Sequence, residues 1–137
     1  MGSIAARNCI RWSSSTERCR PLSRHRMTRG SMTRQFSRAR GADRGVLICG
    51  TGIGISISAN KVRGIRAAVC SEPFTARHTR EHNGSQIIAF GAFVVAPEMA
   101  FAITDAFLGA EFKGGIYTER FNLIKRIEDE EYGPGDE

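Results

Sequence analysis

An α/β fold built on an open parallel sheet with flanking helices follows from three features of the sequence from Asp43 onward. Short β-branched or aliphatic runs at residues 46–49, 65–70 and 87–90 carry no alternating polar face, as befits strands covered on both sides. Stretches of helical character lie between them, and strands joined through helices make a parallel sheet by right-handed crossovers. Glycine-marked turns punctuate the alternation at Gly50, Gly64 and Gly84.

Taken in order, the first strand stops at Cys49, and the alternating glycines Gly50, Gly52 and Gly54 follow. A helix over 55–62 closes near Gly64, a residue type suited to the left-handed position after a helix. The second strand, 65–70, ends at Cys70. Ser71 is a candidate cap and Pro73 suits the first turn of a helix running to about Glu81. After the third strand, Val94 and Val95 continue an extended connection to Pro97. Residues 97–108 then place Met99, Ile103, Ala106 and Phe107 on one helical face. The Gly114-Gly115 break precedes a last helix from Tyr117 to about Glu130 that turns Phe121, Ile124 and Ile127 inward. The acidic end, residues 128–137 with Gly133-Pro134-Gly135, reads as a disordered tail, residues 132–137 standing apart from a domain at 43–131.

A chain of 137 residues with 41% hydrophobic residues suits one domain with a real core. The net charge of +6 divides unevenly. Residues 1–43 hold ten Arg against Glu17 and Asp43, a net of +8, whereas residues 44–137 carry a net of −2. The basicity belongs to the leader, so nucleic-acid binding is not expected of the globular part. Residues 1–42, rich in Arg and Ser and without Lys, do not read as folded structure. A disordered basic arm, an organelle transit peptide and a stretch foreign to the ancestral protein stay open as explanations. No apolar run approaches the roughly 18 to 20 residues that cross a bilayer, and no secretory signal is visible. A cytoplasmic protein without membrane partners is expected. Cys9, Cys19, Cys49 and Cys70 show no C-x-x-C pair and no metal-ligand spacing with His25, His78 or His82, so neither a disulfide framework nor a metal site is indicated.

The glycine loop invites a dinucleotide reading that its spacing rejects. In a G-x-G-x-x-G fingerprint the third glycine stands three places after the second; here Gly54 stands two after Gly52, and Ile55 fills the expected position. No G-K-[ST] follows, which excludes a P-loop. A smaller anion fits: a phosphate, a carboxylate or an oxyanion formed during reaction. Cys49 directly precedes that cradle, at a strand C-terminus where open parallel sheets place their sites, and a thiol there suits a general base. Cys70 lacks such a loop and reads as structural. His82 and Asn83 before Gly84 are ordinary helix-end chemistry on pattern alone, and Arg120 is an ordinary solvated helix residue.

Residues 43 to about 128 closely resemble the type B ribose-5-phosphate isomerases and their galactose-6-phosphate and allose-6-phosphate isomerase relatives, through CGTGIG, ANK, GIRA, REHN, AFG and EFKGG. The resemblance implies a Rossmann-like fold and aldose–ketose isomerisation of a phosphorylated sugar, most simply ribose 5-phosphate, without cofactor or metal. It implies Cys49 as the base that moves a proton between C1 and C2 through an enediolate. Gly50, Thr51, Gly52, Ile53 and Gly54 match the loop that stabilises the oxyanion, with Ser56 a weaker candidate. His82 matches the histidine of ring opening, Asn83 a ligand of substrate hydroxyls, and Arg120 one of two phosphate arginines. Sites shared between two chains, hence a homodimer, are implied as well. Two departures stand out. The family's N-terminal strands, with an Asp-His loop and a Tyr-Pro-Asp segment, are not visible in residues 1–43, and Ile116 stands where the second phosphate arginine is expected. The alternative is a truncated, non-catalytic member serving as a binder or hetero-oligomer subunit.

Overall fold

The structure is a computed structural model that describes residues 9–12 and 43–133. The expectations for the rest of the leader and for residues 134–137 lie outside the described residues. Among the described residues eight elements follow one another: β1 (Cys9–Trp12), β2 (Arg44–Cys49), α1 (Ile53–Ala59), β3 (Ala67–Val69), α2 (Pro73–Asn83), β4 (Ile87–Gly91), α3 (Pro97–Leu108) and α4 (Ile116–Tyr132). The sheet order is β1-β2-β4-β3. β4 pairs in parallel with β2 on one side and β3 on the other, as the unbroken apolar runs predict.

β1 is antiparallel to β2, a strand where the Arg- and Ser-rich composition predicts none. The outer edge of β2 offers unpaired backbone groups, and an extended segment can satisfy them whatever its side chains.

The core has two layers because successive strand residues point to opposite faces. Leu47, Ile87 and Ala89 meet Ile55 and Ala59 of α1 on one face. Val46, Ile88 and Phe90 meet Ala76 of α2 and Ile103 and Phe107 of α3 on the other. All five residues of β4 are buried, which explains a strand of the form IIAFG with no polar position.

Several boundaries differ from the sequence expectation for local reasons. α1 runs over 53–59 rather than 55–62, and β3 is three residues long. The cap of α2 is Glu72, not Ser71: its carboxylate accepts the N–H groups of Phe74 at 2.6 Å and Thr75 at 2.9 Å. Val94 and Val95 are not extended, since both N–H groups turn back to the Gly91 carbonyl at 3.0 Å.

α4 shows the largest departures. It continues through residues 128–132, which read as tail in the sequence, because Arg63 pairs with Asp129 and the Gly64 N–H is taken by Glu128. None of its residues is fully buried. Phe121 is half-buried under the Arg66 guanidinium, 4.3 Å above its ring. Ile124 and Ile127, expected inward, are 44% and 61% exposed.

Phe107→Ala, at a fully buried site, is expected to cost about 3–5 kcal/mol in denaturant unfolding of the full chain. Glu72→Ala should cost about 0.5–2 kcal/mol, with Ser71→Ala within about 0.5 kcal/mol of the parent. The reverse order for the last two would return the cap to Ser71.

Candidate active site

At the C-terminal end of β2, Cys49 lies opposite Gly91 of β4, and its side chain packs against the α1-face core. The Gly52 N–H donates to its sulfur at 3.1 Å, so the turn that follows the strand fixes the thiol. That turn is pressed backbone to backbone onto β4. Gly52 has φ of 81°, and a Cβ there would lie 2.8 Å from the Phe90 carbonyl carbon. A Cβ on Gly91 would lie 2.6 Å from Thr51 Cα. Only glycine fits either position. The carbonyls of Cys49 and Gly50 accept the N–H groups of Ala92 and Phe93 at 2.8 and 3.1 Å, which straps the loop down.

Thr51, Ile53 and Gly54 face solvent on the open side of the loop. Ser56 is buried, and its hydroxyl donates to the Ile53 carbonyl at 2.8 Å, a structural use. Phe93, 90% exposed, lays its ring against Gly50 and gives the loop an apolar flank that the sequence reading missed.

A second group of side chains gathers where α2 meets α4. His82 stacks on Tyr117, with centroids 4.1 Å apart and planes 5° apart. The guanidinium of Arg120 lies 5.9 Å from the same Tyr117 ring. Asn83 is the last residue of α2 and exposed, followed by Gly84 in the left-handed conformation. Ile116 begins α4 and is exposed. Burial, with help from the neighbouring His78 and Lys113, pushes the His82 imidazole below its ordinary value.

His78 touches His82 edge-on at 4.8 Å between centroids. His78, Glu81 and His82 bring one potential ligand atom each within 4.8 Å of one another. The set holds no cysteine, so the spacing of the histidines to the cysteines does not reveal it. The four-residue spacing of the two histidines on one helix was the signal that could have found it. The Tyr117–His82 stack joins separate helices and left no trace in local sequence.

The predicted site residues thus fall into two groups that one chain does not bring together. Cys49 pairs with Gly91 at the C-terminal end of the sheet. His82 and Asn83 lie just before the loop that enters β4 at Ile87, where Ile87 pairs with Gly45 at the opposite end. About 13 Å of strand separates these two levels, and Cys49 and α2 pack on opposite faces of the sheet.

Because its folded pKa is lowered, His82 should titrate by NMR with a midpoint below about 6.5. Tyr117→Ala, which uncovers one face of the ring, should raise the midpoint. The sign for stability follows: as pH falls through this window the unfolded chain takes up the proton first, so protonation favours unfolding. A midpoint at or above the free-histidine value would contradict the burial of the ring.

With this geometry described, comparison with known proteins gives a consistent result. The sequence profile described as Ribose/Galactose Isomerase matches residues 31–124. Ribose-5-phosphate isomerase B of Escherichia coli K12 is 55% identical over 86 residues, covering 63% of this chain and 58% of that protein. D-erythrulose-4-phosphate isomerase of Pectobacterium atrosepticum is 49% identical over 88 residues, covering 64% and 58%. The solved structure of Clostridium thermocellum ribose-5-phosphate isomerase B superposes with a TM-score of 0.70 at 46% identity, covering 73% of this chain and 69% of that one. The chain spans 58% of the length of these curated relatives. A profile match over most of the chain and the structural likeness together establish that it belongs to the ribose/galactose isomerase family.

Proposed function

We propose that this chain catalyses aldose–ketose isomerisation of a phosphorylated sugar, ribose 5-phosphate to ribulose 5-phosphate, by proton transfer from and to Cys49. The observation that carries this reading is the thiol held by the Gly52 N–H beside a glycine loop, in a chain whose relatives are named as sugar-phosphate isomerases. In the open-chain aldose the sulfur takes the proton from C2 and returns it at C1, while a hydroxyl proton moves from O2 to O1. The intermediate is an enediolate. Backbone N–H groups of the Gly50–Gly54 loop, with Thr51 at its exposed side, stabilise the developing oxyanion. His82 opens the sugar ring, Asn83 binds hydroxyls and Arg120 holds the phosphate.

The separation of Cys49 from His82 supports a homodimer in which each site takes the thiol and glycine loop from one chain and His82, Asn83 and Arg120 from its partner. A general acid or base works within hydrogen-bond reach of the reacting atom, and two groups at opposite ends of one sheet meet that condition only across copies. The exposed apolar face of α4 is consistent with such an assembly. No helix among the described residues is long and apolar enough to cross a membrane, and we assign the reaction to the cytoplasm.

Ile116, in place of a phosphate arginine, favours a second reading: a family member that binds sugar phosphate without turnover, alone or within a hetero-oligomer. Each charge-assisted contact to phosphate is worth about 1.5–3 kcal/mol, so Arg120 on its own gives a weaker grip.

An isomerisation assay with ribose 5-phosphate decides between them. The parent chain should turn over, and Cys49→Ala should lower kcat about 10²- to 10⁴-fold. Unchanged turnover in the variant would remove Cys49 as the base; a folded, substrate-binding and inactive parent would favour the second reading.

A further inference from the structure

α2 carries a set of three side chains of which the proposed isomerisation assigns a role only to His82. His78 and His82 stand one turn apart on the same face, and Glu81 lies between them in sequence. His78 Nδ1 is 3.0 Å from the Phe74 carbonyl oxygen. A carbonyl only accepts, so Nδ1 carries the hydrogen, and in the neutral ring Nε2 holds the lone pair. Metal-ligating histidines are commonly fixed in this way, the second ring nitrogen donating to a backbone carbonyl. His78 lies against the Phe74 ring at 3.8 Å, tilted by 30°, and His82 stacks on Tyr117 at 4.1 Å, contacts that restrain both imidazoles. Glu81 is ionised beside Lys113, 2.9 Å away, with Arg77 at 3.9 Å.

We propose that His78, Glu81 and His82 bind one borderline divalent cation, Zn²⁺ in particular, on the partly exposed face of α2 at the end of the sheet away from Cys49. Ligand atoms around tetrahedral zinc lie roughly 3.3 Å apart, from bond lengths near 2.0–2.1 Å. The three atoms here lie within 4.8 Å, so closure draws them about 1.5 Å nearer to one another. Two imidazoles and a carboxylate suit zinc, cobalt or nickel rather than magnesium or calcium, and three protein ligands leave the fourth position to water. Lys113 opposes the ion electrostatically and must release Glu81, whose side chain is 15% exposed against 53% for the lysine. A consequence rests on the function proposed above: an ion that occupies His82 withdraws it from ring opening, so Zn²⁺ inhibits isomerisation.

The test is titration of the untagged full chain with Co²⁺ and Zn²⁺, followed by visible absorption and calorimetry, with circular dichroism as the check on folding. Expected are one ion per chain with d–d bands that survive Cys49→Ala. His78→Ala should weaken affinity about tenfold or more, Glu81→Gln should weaken it as well, and Lys113→Met should tighten it. Affinity unchanged in both His78→Ala and Glu81→Gln, or binding lost in Cys49→Ala, would overturn the site. Zn²⁺ inhibition relieved by His78→Ala supports both the site and the role of His82. Histidine-dependent binding without inhibition supports the site and counts against that role.

Discussion

β4 is the constraint on which the rest of the molecule depends. Its five residues are buried on both faces and bonded in parallel to β2 and β3, which sets Cys49 level with Gly91 and Gly45 level with Ile87. In a parallel sheet the strands all end on one side, and each crossover helix runs back to the other. The thiol at the end of a strand and the histidine at the end of a helix therefore sit at opposite ends of the domain by topology. Gly91 and Gly52 complete this arrangement, because any side chain there would lift the loop off the strand that supports it. Fold and glycine loop are in that sense one contact.

The parts of the fold legible in the sequence are those decided by burial alone. Residues 46–49 and 87–90 announce themselves because buried strands admit few polar residues, whereas in 97–108 only Ile103 and Phe107 of the expected inward face are buried and Met99 is exposed. The cap of α2 was not legible, since Glu72 and Ser71 both suit the role and only the extended backbone at Glu72 decides between them. The strand at Cys9–Trp12 rests on backbone pairing, which composition does not reveal. The face of α4 misled for a different reason. An apolar stripe has the same periodicity whether its own domain or another surface covers it, and here Ile124 and Ile127 face outward.

The candidate site divides along the same line. The glycine loop and Cys49 form a local motif, readable from spacing as an anion cradle and from resemblance as an oxyanion site. His82, Tyr117 and Arg120 form a row that depends on α4 lying beside the end of α2, and no spacing rule joins them. Helix periodicity could have picked out His78 with His82, had the histidines been compared with each other. α4 itself is held by a few contacts, the Arg66–Phe121 stack and the Arg63–Asp129 pair among them. A partner copy that covered its apolar face would also fix Arg120 in place.

The central claim is that one working site takes its thiol from one chain and its histidine from another. The direct measurement is isomerase activity after co-expression of Cys49→Ala and His82→Ala chains with different tags, purified through both tags. Neither variant alone should turn over appreciably. In a twofold dimer the mixed species holds one doubly altered site and one intact site, so it should recover about half the parent activity. Mixed dimers no more active than the two variants alone would contradict a shared site.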